Sequence, residues 1–76
     1  MAKMPLTQLS PGEEATIREI NAGCRATKRL CEMGFYIGSN VKVLKNDRGP
    51  LIVSLSGNKI AIGRGLAQKI IVEYKN

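Results

Sequence analysis

The side chains that most often carry chemistry are scarce in this chain, and their spacing limits what they can do. Histidine is absent from all 76 residues. That removes a Ser-His-Asp or Cys-His pair, an imidazole base and any zinc site with a histidine ligand. The two cysteines, Cys24 and Cys31, cannot make a four-thiolate zinc site within one chain. Seven positions apart, they would share one face of a helix but stand about 10.5 Å apart along its axis. A disulfide needs alpha carbons within about 7 Å, so the expected state is two small, reduced thiols. Gly63-Arg64-Gly65 invites comparison with nucleotide-binding loops. A dinucleotide fingerprint needs a third glycine where Gln68 stands, and a phosphate loop needs Gly-Lys-Ser/Thr, whereas Lys69 is followed by Ile70. The two glycines read instead as a passage from a strand into one helical turn, Leu66–Lys69. No catalytic constellation emerges, and the expectation is a protein that is not an enzyme.

Charge is the stronger signal. The net charge is +6, and it is unevenly spread. Residues 1–23 set Lys3 and Arg18 against Glu13, Glu14 and Glu19. Residues 24–48 set Arg25, Lys28, Arg29, Lys42, Lys45 and Arg48 against only Glu32 and Asp47. Such a segment suits nucleic acid, an anionic membrane surface or an acidic protein, and equally a plain solvated face. Single-strand binding by a small barrel also needs aromatic platforms. Only Phe35, Tyr36 and Tyr74 are present, none of them within a lysine-rich strand, and Phe35, directly after a helix cap at Gly34, is expected to pack beneath the helix.

The elements that must position these residues are short. Ser10-Pro11-Gly12 suits a type II turn. Residues 14–20 are ambiguous: Ser10 and Glu13 have capping-box spacing, whereas Ala15 and Ile17 alternate with Thr16 and Arg18. Residues 24–33 read as a helix with Ala26, Leu30 and Met33 on the apolar face and Arg25, Lys28, Arg29 and Glu32 on the other. Lys28–Glu32 and Arg29–Glu32 have pairing distance, and Gly34 supplies a left-handed C-terminal residue. Alternation at Val41 and Val43, at Leu51, Val53 and Leu55, and at Ile60 and Ile62, followed by Ile70–Tyr74, marks further strands. The expected fold is mainly β: a small antiparallel barrel or sandwich of about five strands with a one-turn helix before the last, and closure would suit so short a chain by removing the unpaired edges of an open sheet.

One domain spanning residues 1–76 is expected from the length, and the 43% apolar and 24% charged composition is globular. The aliphatic runs Leu51-Ile52-Val53 and Ile70-Ile71-Val72 are far below the roughly 20 residues of a membrane span. The N-terminal Met1-Ala2-Lys3-Met4-Pro5 is followed by no secretory h-region, so a cytoplasmic protein without direct membrane insertion is expected.

Arg29-Leu30-Cys31-Glu32-Met33-Gly34-Phe35-Tyr36-Ile37-Gly38 resembles the signature of the FeoA family (ferrous iron transport protein A), Arg-Leu-x-Glu-Met-Gly-hydrophobic-x-x-Gly. Leu9-Ser10-Pro11-Gly12, Gly49-Pro50-Leu51-Ile52-Val53, Ile60–Ala67 and Ile70-Ile71-Val72 resemble its other segments in order, from about residue 6 to 74. The resemblance implies an SH3-like barrel with a helix inserted after the first strand, which makes Glu14–Ile20 a strand. It implies a standalone cytosolic accessory of ferrous iron uptake, acting with a membrane permease that carries a cytosolic GTPase domain. Family members are also described as binding transition metals. Without histidine, isolated Cys, Asp and Glu could offer Fe2+ or Zn2+ only a weak or intermolecular site, so no firm cofactor is expected. The partner-binding candidates are Arg25, Lys28, Arg29, Glu32, Phe35 and Tyr36. Leu30 and Met33 are expected to anchor the helix, and Gly34 and Gly38 to serve backbone geometry. Lys59 and Lys75 are expected to lie apart from this surface. The alternative reading is a small basic barrel that binds RNA or single-stranded nucleic acid.

Overall fold

The computed structural model describes residues 2–74; Met1, Lys75 and Asn76 lie outside the described residues. Alternating apolar runs form strands wherever a tight turn brings the next run back alongside. In chain order these are β1 (Lys3–Pro5), β2 (Glu14–Ile20), β3 (Asn40–Lys45), β4 (Leu51–Leu55), β5 (Asn58–Ile62) and β6 (Ile70–Tyr74). Helix α1 (Cys24–Glu32) follows β2, and the single turn α2 (Arg64–Ala67) precedes β6. All pairings are antiparallel, in the order β1-β6-β2-β3-β4-β5.

Two turns show why the strands run as they do. At Ser10–Glu13 the Glu13 amide donates to the Ser10 carbonyl at 3.0 Å, and Gly12 has φ +92°. This is the expected type II turn, which reserves its third position for glycine. The Glu13 carboxylate also accepts the Ser10 amide at 2.7 Å, so the capping-box spacing is used within a turn and residues 14–20 are a strand. Between β4 and β5, Ser56 (φ +53°) and Gly57 (φ +83°) form a two-residue link with both central residues left-handed. That is the type I′ hairpin, whose twist matches the strands it joins.

Irregularities in pairing at Arg18 on β2 and Leu44 on β3 bend those strands around the interior. The inner faces of all the strands from β2 onward then meet in one cluster, with Leu6, Leu9, Leu30, Phe35 and Ala67 closing it. Asn46 ties one end of this barrel. Its amide nitrogen donates to the carbonyls of Thr7 (2.9 Å) and Leu9 (2.6 Å), and its oxygen accepts from Arg64 at 2.6 Å.

The structure departs from the sequence-based expectation in three ways. There are six strands, because Lys3–Pro5 pairs with β6 (Met4 opposite Val72), and three residues are too few to display alternation. The one-turn helix starts two residues earlier than expected, at Arg64. The backbone ladder also does not close: among the described residues β1 and β5 remain its two edges. The barrel is sealed by side chains, not by a continuous circle of hydrogen bonds.

Candidate functional site

Helix α1 starts after Gly23 and ends where the signature glycine stands. At that end the Gly34 amide donates to the Cys31 carbonyl at 3.0 Å and the Phe35 amide to the Leu30 carbonyl at 2.9 Å. These two bonds define a Schellman motif, which requires a left-handed residue and carries an apolar contact between the flanking positions. Gly34 supplies φ +100°, and an added Cβ there would also meet the Leu55 Cδ2 at 3.3 Å. Leu30 and Phe35, the two positions the motif brings together, are both wholly buried in the core.

This geometry corrects one of the expected contact residues. Phe35 is 0% exposed, so it is an anchor and not part of a partner-binding shoulder. Two other residues take the exposed position. Tyr36 is 55% exposed and Ile37 is 66% exposed. They sit on a second tight turn, in which the Ser39 amide donates to the Tyr36 carbonyl at 3.0 Å and Gly38 has φ +96°. The Gly38 amide donates to the Ile17 carbonyl at 2.7 Å, and the Ile17 amide to the Ser39 carbonyl at 2.9 Å. The apolar tip is thus fixed to β2 by its backbone. Sequence reasoning missed Ile37, although the glycine after it was a signal that the chain must turn there.

The remaining candidates share the outward side of α1. Arg25, Lys28, Arg29 and Glu32 are all exposed, while Leu30 is buried and Met33 packs half-buried against the core. The expected Lys28–Glu32 and Arg29–Glu32 pairs are not formed. The ion pairs among the described residues are Lys3–Glu19 at 3.6 Å, Arg18–Glu73 at 2.7 Å and Lys45–Asp47 at 3.9 Å. The charges of α1 therefore stand unpaired on the helix that leads into the apolar tip. Lys59 lies on β5, and Lys75 falls outside the described residues.

Nothing else gathers these groups. A surface hollow of about 550 Å³ lies at the β3–β4 connection beside Lys45, Arg48 and Pro50 and includes none of the candidates. Cys24 is exposed and Cys31 half-buried, both as free thiols on α1. Among the described residues no three of Cys, Asp and Glu come together as a metal site would need. Elsewhere, Glu13 raises the Tyr74 phenol above its ordinary pKa of 10.0, first by hydrogen bonding to it and then through its charge.

The fold and this surface define a class: a small SH3-like barrel whose inserted helix presents a charged face and an exposed apolar tip. The FeoA domain model matches residues 4–74, and this chain belongs to that family. It is 54% identical over 69 residues to "Putative Fe(2+) transport protein A" of Methanocaldococcus jannaschii, covering 91% of this chain and 84% of that one. A crystal structure described as an iron uptake regulatory protein (FeoA) is similar at TM-score 0.92 and 33% identity, covering 99% of this chain and all of that one. A manganese-dependent transcriptional repressor shares the fold at TM-score 0.87 and 24% identity, with 99% of this chain matching 38% of the repressor.

Proposed function

We propose that this chain is a cytosolic accessory of ferrous iron transport. It acts by docking α1 and the Tyr36–Ile37 tip on the cytosolic part of a membrane ferrous iron permease that carries a GTPase domain. Family membership and the 54% identity to an Fe(2+) transport protein A support the transport role. The observation that carries the docking surface is that Arg25, Lys28 and Arg29 are exposed and unpaired on a helix whose C-terminal end leads directly into an exposed Tyr36-Ile37 tied to β2 by its backbone. Arg and aromatic side chains are the residues from which interfaces draw most of their energy. The surrounding positive charge would speed encounter with an acidic surface. Among the described residues no helix is long and apolar enough to cross a membrane, and in this reading the protein reaches the inner membrane face through its partner. Fe2+ is the cargo of the transporter in this reading.

The test is ferrous iron uptake in a strain lacking the native copy. Arg29→Glu and Tyr36→Ala should impair uptake while leaving thermal unfolding unchanged. Lys69→Glu, an equal charge reversal at an exposed site after α2, should not. Equal uptake in all three variants would remove the contact from this face. The RNA-binding alternative is weakened by the burial of Phe35, which withdraws one of three rings a strand could stack on. Nucleic-acid binding should be sequence-blind and vanish near physiological salt, because each neutralised phosphate releases counterions. Submicromolar binding to a defined RNA under those conditions would reverse the ranking.

A further inference from the structure

The two edges of the sheet are unlike. β1 is three residues long and ends in Pro5, which has no amide to offer a neighbour. β5 is five residues long, without proline, and its register with β4 is unbroken from Leu55–Asn58 to Leu51–Ile62. Native edges are usually blunted by proline, bulges or several charges. β5 has one such device, the single charge of Lys59.

The type I′ turn determines which backbone groups of β5 are free. It makes Leu55–Asn58 a hydrogen-bonded pair, and hydrogen-bonded and non-bonded pairs alternate along an antiparallel ladder. Val53–Ile60 and Leu51–Ile62 are therefore bonded pairs, whereas Ser54–Lys59 and Ile52–Ala61 are not. The amides and carbonyls of Lys59 and Ala61 thus point away from β4. Among the described residues β5 pairs with no other strand, and no turn or loop backbone group bonds to those two residues.

We propose that β5 pairs with β5 of a second copy of the chain, antiparallel about a two-fold axis at Ile60. Only a residue whose groups point outward can enter a bonded pair across this edge. A two-fold axis at Ile60 sets Lys59 opposite the partner's Ala61, and Ala61 opposite the partner's Lys59, each pair exchanging two backbone bonds. An axis at Lys59 would set like charges face to face, which is unfavourable. An axis at Ala61 would use only one bonded pair within the strand. The axis at Ile60 separates the charges and also brings the two Ile60 side chains together. These are half-buried inner-face residues, each left at the margin of its own core. The unclosed edge is complementary to itself.

The contact is small, and each chain carries +6, so the dimer is weak and general charge repulsion opposes it. Salt should therefore strengthen it by screening, whereas salt should weaken the docking of α1 on an acidic partner. The two surfaces respond to salt in opposite directions, so one reading can fail without the other.

The test uses sedimentation and amide shifts across a concentration series reaching about 1 mM, as a contact this small requires. In the native chain the Lys59 and Ala61 amides should shift with concentration, more strongly in high salt. Ala61→Glu places a carboxylate opposite the partner's Lys59 and should tighten the dimer about threefold or more at low salt. Ala61→Lys opposes two ammonium groups and should loosen it by a similar factor. Gln8→Glu, the same charge change at an exposed site outside the strands, should have a smaller effect than Ala61→Glu. The proposal is overturned if the native chain and Ala61→Glu both stay monomeric throughout. Equal effects of Ala61→Glu and Gln8→Glu, or concentration-dependent shifts confined to α1 and the tip, overturn it as well.

Discussion

One strand and two loops separate helix α1 from strand β4 in the chain, and the two relate to the core in different ways. β4 buries Leu51, Val53 and Leu55, three of its five residues. α1 wholly buries only Leu30 of its nine. The barrel is held by many alternating side chains, each backed by ladder bonds. The helix is held at one end, by Leu30 and the Phe35 that the Schellman motif folds against it. Met33 adds a half-buried contact there, and the outward Arg25, Lys28, Arg29 and Glu32 are left for solvent or a partner. In this molecule the strands hold the fold together, and the helix offers a surface that can change without unmaking it.

The contrast predicts a steep gradient across two adjacent residues. Phe35→Ala should destabilise the protein by about 3–5 kcal/mol, because it empties a fully buried ring site where the helix end meets the core. Urea unfolding measures this, and a loss no larger than that of Tyr36→Ala would break the contrast. Asn46→Ala comes next, at about 1–3 kcal/mol. It deprives the Thr7 and Leu9 carbonyls and Arg64 of a shared partner at the barrel end. Loss of native near-ultraviolet signal with the α1 amides still protected would show that the barrel can loosen while the helix stays. Gly34→Ala should cost about 1–2 kcal/mol, from its positive φ and the Leu55 contact. For a domain of this size that lowers Tm by roughly 4–16 °C. The smallest effects belong to the exposed side. Arg29→Glu, Tyr36→Ala and the double variant Cys24→Ser, Cys31→Ser should each stay within about 0.5–1 kcal/mol of the native chain. A large loss for any of them would mean that the helix is bound to the barrel by more than its end.

Legibility followed the same division. The α1 boundaries, its apolar and charged faces and its glycine terminator are local properties, and the structure reproduces them at Cys24–Glu32. Phe35 admits two readings from the sequence, packing beneath the helix cap or sharing an exposed shoulder with Tyr36, and its complete burial decides for the first. The information was nonetheless present, since a glycine-terminated helix directs the next residue back onto its last turn. Ile37 went unread for the converse reason: an aliphatic residue is expected inside, and only the turn closed by Gly38 drives it out. Glu14–Ile20 could not be decided from its own residues, because the helix-start spacing of Ser10 and Glu13 serves a turn equally well.

The sequence by itself determined the elements that report their own geometry: the alternating strands, the capped helix, the glycine turns, the absence of histidine chemistry and the concentration of positive charge. These follow from local sterics and from composition, which need no distant partner. Tertiary structure alone decided three further things. It recruited Lys3–Pro5 as a sixth strand, left β5 as an edge, and left the aliphatic Ile37 outside. Each depends on what lies across space from the residue, and strand pairing and burial are energies shared between segments far apart in the chain. A three-residue run such as Lys-Met-Pro has no period to show, and becomes a strand only because β6 presents a free ladder beside it.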